Sequence, residues 1–343
     1  MLPSSLMADF QTIEKRRQRA RSTYTDLKKH YVRITGWLPI FGQYKTGSHH
    51  VRYLTLCAKL AIDIRYFRSK GLLFFDKQQQ SYPFVTFIER DSQDYAFIAE
   101  SLGRTRLPLK GDLEEILLNP ADYPKEFKDL SGTFPHDIIN LDFTGEVVRP
   151  ADPPYNTTIR AIEKIVELQR KASCKRWHMF LTFRVRRETA SGGADDELRR
   201  IIESNLVNEA ARTAYGTRPA PMELRAQEYK EFLRIGMAKF LAGIAATQDF
   251  TFALDDSYYY ERTSPEGEKY YILTLIAGFA APRSSSQLQD PRRAVVAYAR
   301  CVPQIFMSSA VDVVARLRTA GESERITTDL RPVLDEVEGL GVV

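Results

Sequence analysis

Apolar residues recur along the chain in two alternating patterns. Short runs rich in β-branched and aromatic residues predict five strands, at residues 51–58, 82–91, 107–112, 134–145 and 176–187. Between them, apolar residues at helical spacing predict helices at residues 59–71, 92–103, 113–119 and 158–171. Strands that alternate with helices in this way are typical of a parallel sheet covered by helices on both faces.

The pattern changes after the fifth strand. Residues from about 195 to 245 have helical periodicity, whereas residues 250–279 read as an antiparallel hairpin with a turn at Ser264–Gly267. We therefore predict an α/β fold, with a three-layer, mostly parallel sheet, helices on both faces and a C-terminal antiparallel hairpin. The predicted parts are a basic N-terminal helical segment, an α/β domain that contains the helical insertion, and a C-terminal extension with a helix near 311–317, at residues 1–48, 49–282 and 283–343.

Composition narrows the class of protein. Hydrophobic residues make up 43% of the chain and charged residues 27%, the balance of a globular protein. No apolar run is long enough to cross a membrane, and the N-terminus lacks the layout of a secretory signal, so we expect no membrane partner. Three separate cysteines without a CxxC pair favour a cytoplasmic location and no disulfide framework. The pair His49-His50 lacks further ligands at suitable spacing, so we predict a surface loop and no metal.

Positive charge is concentrated near the N-terminus. The net charge of +5 permits contact with nucleic acid without requiring it. The segment Lys15 to Arg33 carries almost only positive charge, and two interpretations stay open. It is either a solvated helix or an arm that lies along the phosphates of DNA or RNA. A protein partner or a homo-oligomer is also compatible with the sequence.

Polar residues follow three of the predicted strands. The second strand ends with Glu89-Arg90-Asp91, the third with Gly111-Asp112, and the fourth with residues 140–145, which include Asn140 and Asp142. This strand plan and these acids resemble the class I, Rossmann-like S-adenosylmethionine-dependent methyltransferases over residues 50–280. The resemblance implies that Glu89 binds the ribose of the cofactor, that Asp112 lies by its adenine, and that Asn140 and Asp142 face the site of methyl transfer.

The turn after the first strand departs from that family. The resemblance implies a glycine-rich turn here, because the cofactor approaches the backbone closely. Leu56–Ala61 contains no glycine, so the expected contacts fall on Cys57, Ala58 and Lys59. Two functions therefore stay open: a methyltransferase that acts on nucleic acid, or a catalytically inactive methyltransferase-like scaffold that binds nucleic acid or a protein partner.

Two further segments suggest contacts with a substrate. Residues 152–155 spell Asp-Pro-Pro-Tyr, a motif with which amino-methylating enzymes hold a flipped base, and this would assign substrate binding to Asp152 and Tyr155. The motif begins about ten residues after the fourth strand, so a stiff loop before a helix is the competing interpretation. Arg184, near the end of the fifth strand, either binds an anionic substrate or is a solvated strand end.

Overall fold

The computed structural model describes residues 26–147, 157–186, 193–264, 266–282 and 291–340. Its sheet has eight strands in the order β3-β2-β1-β4-β5-β7-β6-β8. In chain order these are β1 Tyr53–Leu56, β2 Ser81–Glu89, β3 Arg104–Lys110, β4 Ile138–Glu146, β5 Arg176–Val185, β6 Thr251–Thr263, β7 Lys269–Ala280 and β8 Val311–Asp312.

The direction of the strands is the one predicted. Strands β1 to β5 are mutually parallel, whereas β7 runs antiparallel to both β5 and β6. The short strand β8 adds a parallel pairing to β6 at the edge. The chain thus has the predicted three-layer α/β architecture, a methyltransferase-like Rossmann fold with a C-terminal antiparallel hairpin.

Helices cover both faces of the sheet. Before the hairpin they are α1 Leu27–Val32, a π-helical segment Arg33–Trp37, α2 Leu38–Tyr44, α3 Ile62–Ser69, α4 Ser92–Leu102, α5 Leu113–Leu118, α6 Pro124–Ser131, α7 Thr157–Lys171, α8 Gly193–Asn205, α9 Glu209–Tyr215, α10 Pro221–Gln227 and α11 Tyr229–Thr247. After the hairpin come α12 Pro291–Met307, α13 Val313–Leu317 and α14 Glu322–Gly339.

Each face has its own apolar cluster. One face packs against α1 to α4 and α14, through residues such as Trp37, Phe67 and Leu330. The other packs against α5, α7, α8, α11 and α12, through residues such as Ile162 and Leu241. The predicted helical insertion therefore forms most of one covering layer. The division of the chain into three parts stays a prediction.

The N-terminal helices lie close against the sheet because of one glycine. A Cβ added to Gly36 would lie 2.7 Å from Ile276 Cδ1 and 2.8 Å from the Tyr258 ring, so no larger residue fits there without movement. One residue on, Trp37 stacks on Phe180 of β5 with ring centroids 5.1 Å apart. Lys28 and Lys29, at the start of these helices, contact Glu261 of β6 and Asp142 of β4, towards the carboxyl ends of those strands.

Helix α14 was not predicted from the sequence. Its buried residues, Ile326, Leu330, Val333 and Val337, recur at steps of three and four, which is helical spacing. Their exposure is zero, so the helix belongs to the core and is not a solvated tail. These apolar residues form one stripe of a helix whose other positions are largely charged, and their spacing is the sequence pattern that predicts it.

Candidate functional site

The carboxyl ends of four parallel strands meet at one edge of the sheet. Backbone N–H of Cys57, after β1, donates to Ile88 O of β2 at 3.3 Å, and Gly111 N, after β3, donates to Glu89 O at 3.0 Å. On the other side of β1, Thr55 pairs with Asn140 of β4. The predicted site residues at the ends of β1, β2 and β3, and Asn140 and Asp142 within β4, therefore lie along the same edge, where ligands of open α/β sheets bind.

The turn between β1 and α3 has a glycine-like conformation without a glycine. Ala61 has a φ of 46°, in the left-handed region that disfavours any residue with a Cβ. The turn is closed by Ala61 N, which donates to Ala58 O at 2.8 Å. Helix α3 then begins with no side-chain cap, so its first N–H groups are available at this edge.

The three residues predicted to contact the cofactor here have different environments. Cys57 is buried, and burial raises the pKa of its thiol well above the usual value, with Asp63 contributing in the same direction. Such a thiol is not a nucleophile at neutral pH. Ala58 is exposed, and Lys59 lies 3.9 Å from Asp94. Only the backbone and small side chains of this turn therefore offer close contact to a ligand.

Glu89 is half-buried at the end of β2. Its Oε1 accepts a hydrogen bond from Asp91 N at 2.8 Å. Burial raises the pKa of its carboxyl group, while the backbone donors of Asp91 and Arg90 oppose that shift. A carboxylate that is only partly removed from water can still accept hydrogen bonds from hydroxyl groups of a ligand.

Asp112 caps a helix. Its Oδ1 accepts from Glu114 N at 2.8 Å and from Glu115 N at 3.4 Å, which is the pattern of an N-cap at the start of α5. The carboxylate therefore has a local structural role that the sequence analysis did not assign to it. Its second oxygen has no hydrogen-bond partner among the described residues.

Asn140 belongs to a buried network beneath the edge. Its Nδ2 donates to Thr55 Oγ1 at 3.1 Å and to Asp63 Oδ2 at 3.3 Å. Asp63 also accepts from the Tyr53 hydroxyl at 2.6 Å, so this buried carboxylate has several donors. The Asn140 Oδ1 atom, by contrast, is buried with no partner in the described part of the chain.

Asp142 is paired with a cation from the N-terminal segment. Lys29 of α1 makes an ion pair with it, and both side chains are mostly buried. The adjacent Lys28 donates to Glu261 O of β6 at 2.8 Å. These two cations of the predicted basic segment 15–33 therefore contact the protein itself, while its first eleven residues lie outside the described range.

Arg33 is a residue of this region that the sequence analysis counted only as part of the basic segment. It begins the π-helical segment and is 4% exposed. Its Nη1 lies 2.9 Å from Nδ1 of His30, and its Nε is buried without a partner among the described residues. No sequence pattern distinguishes it from Lys28 or Lys29, because the difference lies in burial.

Arg184 lies against an aromatic ring. Its guanidinium carbon is 4.3 Å from the centre of the Tyr270 ring, a cation–π contact, and its Nε is buried without a partner in the described ranges. The neighbouring Arg186 is instead 3.3 Å from Glu268. The structure thus gives Arg184 a packing partner while leaving part of its guanidinium without a hydrogen bond.

A cleft of about 530 Å³ lies beside α1 and the carboxyl end of β6. Its lining includes the cations Lys28, Arg262 and Arg318 and the anion Asp26. Arg262 is paired with Asp26 at 3.2 Å, which leaves an excess of positive charge around the opening. Since β6 runs parallel to β5, this cleft opens on the same edge of the sheet as Asp142.

Other predicted residues lie elsewhere or outside the described residues. Asp152 and Tyr155 fall in residues 148–156, which the structure does not describe. His49 lies 3.0 Å from Asp137, but no group of three or more possible metal ligands occurs among the described residues. No helix in the described ranges is long and apolar enough to cross a membrane.

The fold and the aligned strand ends define a chain with a methyltransferase-like Rossmann architecture. The chain belongs to the PP_RS20740-like family, whose model matches residues 125–320. No curated protein sequence matches it. Among solved structures, the crystal structure of M. jannaschii TYW2 in complex with AdoMet is similar at 10% identity over 73% of this chain and 76% of that chain, with a TM-score of 0.32.

Proposed function

We propose that this chain is an S-adenosylmethionine-dependent methyltransferase. The observation that supports this most is the meeting of Cys57, Glu89 and Asp142 at the carboxyl edge of a sheet whose seventh strand is antiparallel. In open α/β sheets ligands bind at this edge, so the polar residues aligned there support a ligand-binding role in addition to a structural one.

The residues at this edge suit the proposed cofactor. Glu89 would bind the ribose hydroxyls, the free oxygen of Asp112 the adenine amino group, and the turn at Ala58 and Lys59 the methionine part. Two buried polar atoms near this edge lack partners in the described residues, Arg33 Nε and Asn140 Oδ1. Buried polar atoms are normally paired, so a ligand that supplies the partners fits the site.

The chemistry requires a substrate group held beside these residues. S-adenosylmethionine, when bound, supplies a reactive methyl group. Asn140 and Asp142 are the side chains of β4 nearest to that place; an amide can orient a substrate amine or hydroxyl, and a carboxylate can accept its proton. Lys29 pairs with Asp142, so this residue of the N-terminal segment positions the carboxylate.

The binding test is a calorimetric titration with S-adenosylmethionine and S-adenosylhomocysteine. We expect both to bind the wild-type chain and the Glu89→Ala variant to bind them at least about tenfold more weakly, because a hydrogen bond to a charged group is lost. The Asp142→Ala variant should retain binding but lose transfer of labelled methyl groups. Binding of another nucleotide and of neither compound would contradict the proposal.

We further propose that the methyl acceptor is DNA or RNA. The cleft with Lys28, Arg262 and Arg318, the partly unpaired Arg184 and the basic residues from Lys15 support an anionic substrate. If about four phosphates are neutralised, the slope of log affinity against log salt should be roughly −3 to −4. Removal of residues 1–25 should flatten this slope, whereas salt-independent binding would indicate a small molecule or a protein side chain.

A non-catalytic scaffold is the second candidate. The turn Leu56–Ala61 without glycine, the N-cap role of Asp112 and the ion pair of Asp142 all favour it. A scaffold would keep its binding to nucleic acid or a protein partner in folded Glu89→Ala and Asp142→Ala variants. An enzyme would lose methyl transfer in both, so the two variants separate the candidates.

A further inference from the structure

Arg33 is a buried cation that no described carboxylate neutralises. It is 4% exposed, and its contacts are a hydrogen bond to His30 at 2.9 Å and the Trp37 ring, whose centre is 5.8 Å from the guanidinium carbon. Its Nε has no partner in the described part of the chain. A charge removed from water without an opposite charge is costly, so such a residue requires an explanation.

Another buried arginine on the same face of the sheet, Arg65, has partners within the protein for its whole guanidinium group. Arg65 is 2% exposed, and its Nε donates to Leu60 O at 3.0 Å. Its other two nitrogens reach Ser101, at 2.9 Å, and the Glu336 carboxylate. Every nitrogen of Arg65 therefore has a partner within the protein, and its charge is neutralised.

Arg33 lies near the turn that replaces the glycine-rich loop. Burial raises the pKa of the Cys57 thiol, Asp63 and Glu89 raise it further, and Arg65 and Arg33 lower it. Charges of both signs thus act at this turn. The adjacent start of α3 has no side-chain cap, so uncapped N–H groups and an unneutralised guanidinium occur together.

The backbone at Arg33 is also unusual. The helix that begins at Leu27 changes to π-helical hydrogen bonding over Arg33–Trp37 and returns to α-helix at Leu38. Such π-helical segments are rare and occur frequently at functional sites. The position of Arg33 at its first residue agrees with a binding role for this side chain.

We propose that Arg33 binds the carboxylate of the amino-acid part of S-adenosylmethionine, beside the turn Cys57–Ala61. This inference rests on the proposed cofactor. A guanidinium binds a carboxylate through two parallel charge-assisted hydrogen bonds, one of which would use the Nε of Arg33 that no described residue pairs. The carboxylate would neutralise the buried cation, so the N-terminal helix supplies the contact that a glycine-rich turn would otherwise make with its backbone.

The test compares two ligands that differ in the amino-acid part. S-adenosylhomocysteine carries the carboxylate, whereas 5′-methylthioadenosine has the same adenosine but lacks it. We expect the Arg33→Met variant to bind S-adenosylhomocysteine about 10- to 100-fold more weakly than wild type, the loss typical of a charged hydrogen bond. Its affinity for 5′-methylthioadenosine should be unchanged.

Two controls separate binding from folding. Arg176→Met removes an exposed cation from the opposite end of β5 and should leave both affinities unchanged. Arg33→Lys retains the charge without the planar fork and should lose part of the affinity; it also serves if Arg33→Met does not fold.

Three outcomes would overturn the inference. Equal binding of S-adenosylhomocysteine by wild type and Arg33→Met would remove Arg33 from the site while the proposed function stands. An equal loss for both ligands would make Arg33 a structural residue. If the wild-type chain binds neither ligand, the proposed cofactor itself is wrong, and the assignment of Arg33 is wrong with it.

Discussion

A buried arginine in the helical layer and one at the carboxyl edge of the sheet differ in their hydrogen-bond and ion-pair partners. Arg234 of α11 is completely buried and is held by Glu231 through two contacts of 2.7 Å. It also donates to Ser308 Oγ at 2.7 Å and Ser308 O at 2.8 Å, beyond the end of α12. Arg33, at the edge, has one hydrogen bond to a His30 ring nitrogen and no carboxylate partner among the described residues.

The partners of the two arginines differ: those of Arg234 stabilise the fold, whereas the buried charge of Arg33 has none among the described residues that would do so. Arg234 joins α11 to the C-terminal end of α12, where helix carbonyl groups lack partners. Lys239, on the same helix, donates to Ile201 O at 2.6 Å in the same manner. Arg33 has no comparable partner, and functional sites are where a protein accepts such unsatisfied groups.

The largest expected effect is on the helical layer. Replacement of Arg234 by Met should lower the free energy of unfolding by about 3–5 kcal/mol, because a buried ion pair and its hydrogen bonds are lost. Urea unfolding measures this. The exposed Arg176→Met is the matched control, with an expected change below about 0.5 kcal/mol. If Arg234→Met lowered the free energy of unfolding as little as Arg176→Met does, the ion pair of Arg234 would not stabilise the helical layer.

The next effect concerns the close contact at Gly36. Replacement by Ala places a methyl group within 2.8 Å of Ile276 and Tyr258. Overpacking of this kind should cost about 1–3 kcal/mol. It should also weaken S-adenosylhomocysteine binding, because the π-helical segment that carries Arg33 must shift. Gly42→Ala, in α2 with open space around its Cβ, is the control and should not destabilise.

The carboxylate at the edge gives a pH-dependent effect. Burial raises the pKa of Glu89, so the native state binds a proton more tightly than the unfolded chain does. Stability should therefore fall as pH rises through the window between the ordinary and the raised pKa. Because Glu89 is only half-buried, Glu89→Gln should raise the unfolding free energy at pH 7 by no more than about 1 kcal/mol.

The same titration predicts how the ligand responds. Ribose hydroxyls donate to the ionised carboxylate, so affinity for S-adenosylhomocysteine should fall as pH is lowered, at a higher pH than an ordinary glutamate would give. Glu89→Gln should bind more weakly and lose this pH dependence. A pH profile that is identical in wild type and variant would remove Glu89 from the site.

The smallest effect concerns the turn after β1. Glycine at position 61 would remove the left-handed backbone strain of the alanine but raise the conformational entropy of the unfolded chain. The free energy of unfolding should therefore rise by a net amount of about 0.5 kcal/mol. Thermal unfolding of Ala61→Gly measures this, and ligand affinity should not fall. A clear loss of stability would mean that the Ala61 methyl group, which is buried, contributes more than its strain costs.

The sheet was predictable because strand and helix periodicities are local. Strands β1 to β7 and the helices α3, α4, α5 and α7 follow from apolar spacing, and the strand ends then place Glu89 and Asp142 at one edge. Helix α14 was missed although its spacing was visible, because its apolar residues are separated by charges. The positions of these strands and helices could therefore be inferred without any contact information.

The details of the site could not be inferred, because they depend on contacts between distant residues. The pairing of Lys29 with Asp142 joins positions 113 apart in the chain. The N-cap role of Asp112 is local, because an aspartate directly before a helix is a common N-cap. The burial of Arg33 follows from the packing of Gly36 and Trp37 on the sheet, which a basic segment does not reveal.

The most direct test measures stability and ligand response together. Thermal unfolding of Arg33→Met and Arg234→Met is followed with and without saturating S-adenosylhomocysteine. We predict that Arg33→Met unfolds at or above the wild-type temperature and gains about 1.4–2.7 kcal/mol less from the ligand than wild type does, whereas Arg234→Met unfolds at a lower temperature and is stabilised by the ligand as wild type is. A variant Arg33→Met that is destabilised by several degrees and still stabilised fully by the ligand would contradict this account.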